Sequence, residues 1–190
     1  MILSDIDIEK ALKSRYIVIT PEPNLEVQLS SCSIDLRLSN EFFIFEYSKH
    51  PFLDPMNKKI DVPVRQIVLK KNEPLVMQPG SFVIGSTIER VELPNDLVGR
   101  VEGRSSLGRL GIVIHSTAPM FDPGWRGQLT LELGNIGVMP VMLYANMRIC
   151  AMTFEQTTTP VRVPYYKKKG AKYLNQKGPT KSQIHKDKIS

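Results

Sequence analysis

The chain is predicted to be an all-β domain, a sandwich, jelly roll or barrel, with one short helix at its N-terminus. Three observations predict it. Apolar and polar residues alternate with a period of two in several runs, the runs are short, and fourteen prolines and twelve glycines punctuate them. With 190 residues the chain fits one domain that can bury a core without disulfide or metal staples. Hydrophobic content of 42% and charged content of 23% are those of an ordinary globular protein. No apolar run approaches the length needed to cross a bilayer.

The helix is expected from Ser4 to about Ser14. Ser4 and Asp7 make a start like a capping box, Ile8, Ala11 and Leu12 supply an apolar face, and Pro21 and Pro23 rule out helix beyond it. The run 33–39 alternates strictly, with Ile34, Leu36 and Leu38 on one side, as a half-buried strand does. Further strands are expected at 42–45, 66–70, 75–77 and 82–93, the last closed by the turn residues Pro94-Asn95-Asp96. Another ends at Gly103, and others cover 112–114, 128–133 and 141–154. No internal repeat or linker splits the chain. Residues 1–160 read as the β domain, and 161–190 as a basic C-terminal tail of the same domain.

The net charge of +6 is unevenly spread: residues 161–190 hold nine Lys/Arg and one acid, while residues 1–160 carry a slight negative excess. A basic tail suits nucleic acid, an anionic membrane or a small polyanion such as a triphosphate, and it also suits a solvated appendage; charge does not choose among these. Cys32 and Cys150 are too few for a disulfide framework and not spaced as a zinc site, so both read as small buried residues. The first residues are acidic and lack the basic and apolar regions of a signal peptide. A cytoplasmic protein is expected.

Four stretches exceed what a plain β-domain requires. In Gly103 to Gly111 a strand ends at glycine, and Arg104 and Arg109 flank a helical turn containing Ser105, Ser106, Leu107 and Gly108. Such a stretch is either an anion cradle or a capped surface turn, and it is not a P-loop. Asp122-Pro123-Gly124 is a turn whose aspartate is either an ordinary turn residue or a carboxylate fixed at a loop mouth. In 128–133, Leu129, Leu131 and Leu133 take one face and Gln128, Thr130 and Glu132 the other. Glu132 is a surface residue if water meets that face, and fit for acid/base work if a loop or another subunit covers it. In the tail, tyrosines among lysines could grip a base and its phosphates, with glycines allowing the segment to close as a lid. His115 reads as a packing or hydrogen-bonding residue; His50 and His185 suggest no role.

These stretches also carry a resemblance. Gly-Arg-Ser-Ser-Leu-Gly-Arg-Leu-Gly at 103–111, His-Ser-Thr-Ala at 115–118, Asp-Pro-Gly-Trp at 122–125, Leu-Glu at 131–132 and Ala-Lys-Tyr-x-x-Gln at 171–176 stand in the order of the dCTP deaminase family, a branch of the dUTPase superfamily. The opening Met-Ile-Leu-Ser-Asp and the run Ser-Ile-Asp-Leu-Arg-Leu at 33–38 are similar too, so the resemblance runs nearly end to end. It implies a distorted jelly roll or β-barrel of the dUTPase-like (β-clip) type, in a homotrimer with active sites between subunits. The implied reaction is hydrolytic deamination of dCTP to dUTP and ammonia, in the synthesis of dUMP and dTTP.

The resemblance further implies roles. Arg104, Ser105, Ser106 and Arg109, with Leu107 and Gly108 between them, match the phosphate-binding and water-positioning segment, and Ser105 and Arg109 flank the reacting centre. Ala118 offers its carbonyl to the attacking water, and Asp122 holds the sugar 3′-hydroxyl. Thr130 and Leu131 line the base pocket through their main chain, and Glu132 is the general acid/base. Tyr165, Lys172 and Gln176 close over the triphosphate. The zinc deaminases carry an H-x-E…P-C-x-x-C signature that this sequence lacks, so no catalytic metal is expected, with Mg²⁺ serving as counter-ion of the triphosphate. No nucleic-acid or membrane partner is implied.

Some members of the family also hydrolyse dUTP to dUMP and pyrophosphate. Trp125 and the run Arg148-Ile149-Cys150-Ala151 resemble the deaminase-only type, whereas Pro119-Met120-Phe121 matches neither type. The bifunctional enzyme is therefore the alternative. A dUTP pyrophosphatase using Asp122 to activate water, and a nucleic-acid-binding module built on the basic tail, are the competing readings.

Overall fold

The computed structural model describes residues 1–46, 52–55, 57 and 62–187; His50 lies outside them. The expected helix is present as α1 (Asp5–Lys13), where the Ser4 hydroxyl accepts from the Asp7 N–H and donates to the Asp7 carboxylate. The strands that follow are β1 (Val18–Thr20), β2 (Leu29–Ser30) after the one-turn helix α2 (Leu25–Gln28), β3 (Ser33–Arg37), β4 (Glu41–Phe45), β5 (Val64–Val68), β6 (Pro74–Met77), β7 (Phe82–Glu92) and β8 (Leu97–Gly103). After α3 (Ser105–Gly108) come β9 (Ile112–Val113), β10 (Met120–Phe121), β11 (Arg126–Asn135), β12 (Val141–Tyr144) and β13 (Arg148–Gln156).

Among the described residues these strands form three antiparallel sheets. One runs β5-β4-β7-β11-β9 with β1 added to β7, the second runs β10-β8-β13-β3-β2, and the third is the pair β12-β6. All three contribute to one core: Leu36 and Phe154 from the second sheet, Phe42, Leu129 and Leu131 from the first, Met77 and Leu143 from the third, each fully or almost fully buried. Burying each such side chain contributes about 1.5–3 kcal/mol.

Two expectations are corrected. The run 141–154 is not one strand: Asn146 takes φ +69° and its N–H donates to the Leu38 carbonyl at 2.7 Å, which turns the chain between β12 and β13. The apolar run across 141–154 hides this break, because it continues from β12, which pairs with β6, into β13, which pairs with β3 and β8 in a different sheet. The strand expected at 66–70 begins two residues earlier, at Val64, and ends at Val68. Elements of two to four residues such as β1, α2, β2 and β10 are too short to show a period.

A seam joins the two large sheets. Between Gln128 and Thr130 the partner of β11 on β7 jumps from Arg90 to Ser86, so residues 87–89 bulge out of the ladder. The Thr87 hydroxyl accepts from the Leu129 N–H at 3.0 Å and donates to the Glu89 carbonyl at 2.7 Å, and the Gln128 amide donates to the carbonyls of Thr87 and Ile88. Thr87 also bridges to Leu38, just past β3. The fully buried Glu89 carboxylate takes the Arg37 Nε at 2.6 Å and the Arg37 N–H at 2.8 Å, the pairing that a buried charge requires.

The tail is docked rather than solvated. The Asn175 N–H donates to the Arg126 carbonyl, the Gln128 N–H to the Gln176 carbonyl, and the Gly178 N–H to the Gln128 side chain, so residues 175–178 lie along β11. Among the described residues no helix is long and apolar enough to cross a membrane.

Candidate active site

A cavity of 540 Å³ opens between the polar face of β11, the loop before it and the docked tail. Thr130 and Glu132 form one wall, Ala118 and Asp122 come from the loop, Tyr165 and Gln176 come from the tail, and Phe45 and Phe82 stand with ring centroids 5.4 Å apart. The period of two puts Glu132 there. Leu131 and Leu133 bury fully on the core side, so the residue between them must face the other way.

Glu132 is held at both ends. Its N–H donates to the Ile114 carbonyl at 3.0 Å, and its Oε2 accepts from the Ser116 N–H at 2.9 Å, a charge-assisted bond that fixes the carboxylate. Among the described residues no hydrogen bond is made to its other oxygen. Among the described residues Thr130 Oγ1 and Gln176 Oε1 are buried with no hydrogen-bond partner, and both residues line the cavity. An unsatisfied buried polar group costs about 1–3 kcal/mol, so two in one cavity mark where a polar ligand fits.

Asp122 opens a tight turn in which the Trp125 N–H donates to the Asp122 carbonyl at 3.0 Å. Trp125 is buried and meets Phe121 edge-on at 4.6 Å, as a core anchor. Two glycines admit the tail here. A Cβ on Gly124, whose φ is +81°, would lie 2.6 Å from Pro164, and one on Gly127 would lie 3.1 Å from the Gln176 side chain. Across this approach Lys168 Nζ reaches the Asp122 carboxylate at 2.6 Å, and the Tyr173 N–H donates to the Tyr165 hydroxyl.

Not every expected residue comes to the cavity. The structure brings together Glu132, Thr130, Ala118, Asp122, Tyr165 and Gln176, whereas Arg104, Ser105, Ser106, Leu107, Gly108 and Arg109 do not line it. Of this turn, Leu107 is buried, the Arg104 guanidinium lies against β13, and Ser105, Ser106 and Arg109 are exposed. Leu131 is buried in the core, so only its main chain can face a ligand. Lys172 instead donates to both oxygens of Asp187 at 2.8 and 3.0 Å, and this bond raises its pKa above the usual lysine value.

Among the described residues His115 Nδ1 is buried without a hydrogen-bond partner, which leaves its expected hydrogen-bonding role unfilled at that atom. Cys32 is exposed, contrary to its reading as a buried residue. Cys150 is buried, and burial, reinforced by Glu89 and Asp35, pushes its thiol pKa far up. Sequence reasoning missed Phe45, Phe82 and Tyr173 as lining residues and Lys168 as the partner of Asp122. Aromatics at both Phe42 and Phe45 were a usable signal, since they place large apolar surface on both faces of β4 and imply that each is covered.

Among known proteins, residues 2–157 match the family described as dCTP deaminase-like. The dCTP deaminase of Thermomicrobium roseum is 55% identical over 185 residues, 97% of this chain and 94% of that one. The dUMP-forming dCTP deaminase of Dictyoglomus turgidum is 50% identical over 187 residues, 98% and 96% of the two chains. Among solved structures, the 2′-deoxycytidine 5′-triphosphate deaminase of Agrobacterium tumefaciens superposes with a TM-score of 0.64 at 22% identity. The match covers 82% of this chain and 48% of that longer one, and it shows a shared fold.

Proposed function

The chain belongs to the dCTP deaminase family and is a dCTP deaminase, and from that premise we propose that Glu132 moves the protons of the reaction. The observation that carries this reading is a carboxylate on the cavity wall with one oxygen fixed by the Ser116 N–H and the other available. Water attacks poorly until a base takes its proton, and C4 of cytosine accepts attack poorly until N3 is protonated. Glu132 serves both needs: it takes a proton from water, delivers it to N3, and then assists departure of the amino group as ammonia. The Ala118 carbonyl orients the water, and Asp122 receives the sugar 3′-hydroxyl. Thr130 and Leu131 meet the base through their main chain.

The triphosphate reaches this site as its Mg²⁺ complex, the metal being part of the substrate. We assign its binding to Arg104, Ser105, Ser106 and Arg109, with the tail residues Tyr165, Lys172 and Gln176 closing over it. That turn does not line the cavity of its own chain. Its position supports a homotrimer in which one copy's turn completes a neighbour's cavity. A cytoplasmic setting fits this substrate.

Relatives at 55% and 50% identity carry the two names, dCTP deaminase and the dUMP-forming kind. Trp125 and Ala151 favour release of dUTP; the alternative is onward hydrolysis to dUMP and pyrophosphate. Incubation with dCTP and Mg²⁺, followed by separation of the nucleotides, distinguishes them. Accumulating dUTP with equimolar ammonia is expected, and dUMP with pyrophosphate would establish the bifunctional enzyme. No turnover of dCTP would overturn the activity.

A further inference from the structure

Beneath the Arg104 turn lies a charged cluster that no catalytic step uses. Asp35 sits on β3 between Ile34 and Leu36, on the face that alternation would give to water, yet it is only 5% exposed. Two guanidinium groups cover it. Its Oδ2 lies 3.2 Å from Arg104 Nε and 3.1 Å from Arg148 Nη1. Arg148 Nη1 also donates to the Val27 carbonyl at 2.6 Å, and the Arg148 carbonyl accepts from Arg104 Nη1 at 3.2 Å. Arg104 is thus held at Nε and at Nη1, one donor from each edge of its planar fork, and among the described residues Nη2 is left to donate elsewhere.

A buried carboxylate is a costly way to fill space on a strand, because it must be desolvated and then matched by charge. Here it does something an apolar residue could not: it orients a guanidinium at the start of the turn assigned to phosphate. We propose that Asp35 is a positioning residue for triphosphate binding, holding Arg104 at Nε so that its Nη2 meets the phosphates. The inference rests on the dCTP deaminase reading and on the place of Arg104 in it. Without the Asp35 charge, Arg104 and Arg148 repel each other and the fork loses its aim.

The test compares the wild type with Asp35→Asn in dCTP turnover and in inhibition by two fragments, inorganic tripolyphosphate and deoxycytidine. For Asp35→Asn, KM for dCTP and the tripolyphosphate inhibition constant are expected to rise about tenfold, the scale of a lost charged hydrogen bond. The deoxycytidine inhibition constant should stay within about twofold, since that ligand has no phosphates for the fork to meet. Asp35→Glu, which keeps the charge but displaces the fork, should give a smaller shift, about threefold, again in KM for dCTP and in tripolyphosphate but not in deoxycytidine. It also keeps the test open if Asp35→Asn does not fold. Glu155→Gln is the control: it breaks the Arg100–Glu155 pair, 2.9 Å apart on the same sheet, and should move none of these constants. Weakening of both fragments alike, or a lowered Tm with unchanged constants, would overturn the positioning role. Failure of the wild type to turn over dCTP would overturn the deaminase reading instead.

Discussion

The two walls of the cavity are built in different ways. On the β11 side, Leu129, Leu131 and Leu133 are fully buried, and the strand is hydrogen-bonded to β7 along most of its length and to β9 at its end. On the tail side, residues 165–187 hold two one-turn 3₁₀ helices and a single bridge to Gly127, and most of their side chains are half-buried or exposed. Glu132, the proposed proton carrier, stands on the wall that is tied into the core. The tail residues proposed to close the site stand on the one that a few hydrogen bonds hold. That division fits a site that must keep its chemistry aligned while letting a nucleotide in and out.

The sharpest test of the rigid wall is Glu132→Gln, which preserves shape and removes the proton carrier. Turnover should fall by about 10²–10⁴-fold while dCTP affinity by calorimetry stays within about threefold. Ammonia release at the wild-type rate would remove Glu132 from the mechanism.

A paired experiment then separates the walls by what they cost. Leu131→Ala empties a fully buried site and should destabilise the protein by about 2–5 kcal/mol, read as a large fall in Tm. Gln176→Ala loses the bond from its amide to the Gln128 carbonyl at 2.7 Å, worth about 1 kcal/mol. For this variant Tm should barely move, KM for dCTP should rise several-fold, and limited proteolysis should cut the tail sooner. A Tm loss as large as that of Leu131→Ala would mean that the tail belongs to the folded core rather than to a closing element.

The same contrast explains what was legible in the sequence. The rigid wall was partly readable: strict alternation in 128–133 puts Leu129, Leu131 and Leu133 toward the core and Glu132 on the opposite face, but whether water or a cavity meets that face was not readable from the alternation. The break at Asn146 was not readable, because a left-handed turn inside a continuous apolar run leaves no period to interrupt. Asp35 was hidden for the opposite reason. Its position on the polar face predicts exposure, and only two arginines from distant strands, Arg104 and Arg148, bury it. The tail's composition spoke of charge but not of docking, which depends on the bare backbone at Gly124 and Gly127 more than on any lysine.

The smallest effect lies where the two walls touch. Lys168 and Asp122 are 2.6 Å apart with side chains 48% and 35% exposed, so their pairing contributes under about 1 kcal/mol and is screened by salt. If Asp122 is to accept a sugar hydroxyl, the ammonium must share that carboxylate or leave it, and the pair then opposes binding slightly. Deoxycytidine isolates the effect, having the sugar and base without phosphates. In Lys168→Met its inhibition constant should fall about two- to threefold at low ionic strength and match the wild type in high salt, as expected of an exposed pair. Weaker deoxycytidine binding in the variant would assign Lys168 to the sugar site itself, and the tail would then supply part of the binding surface as well as its cover.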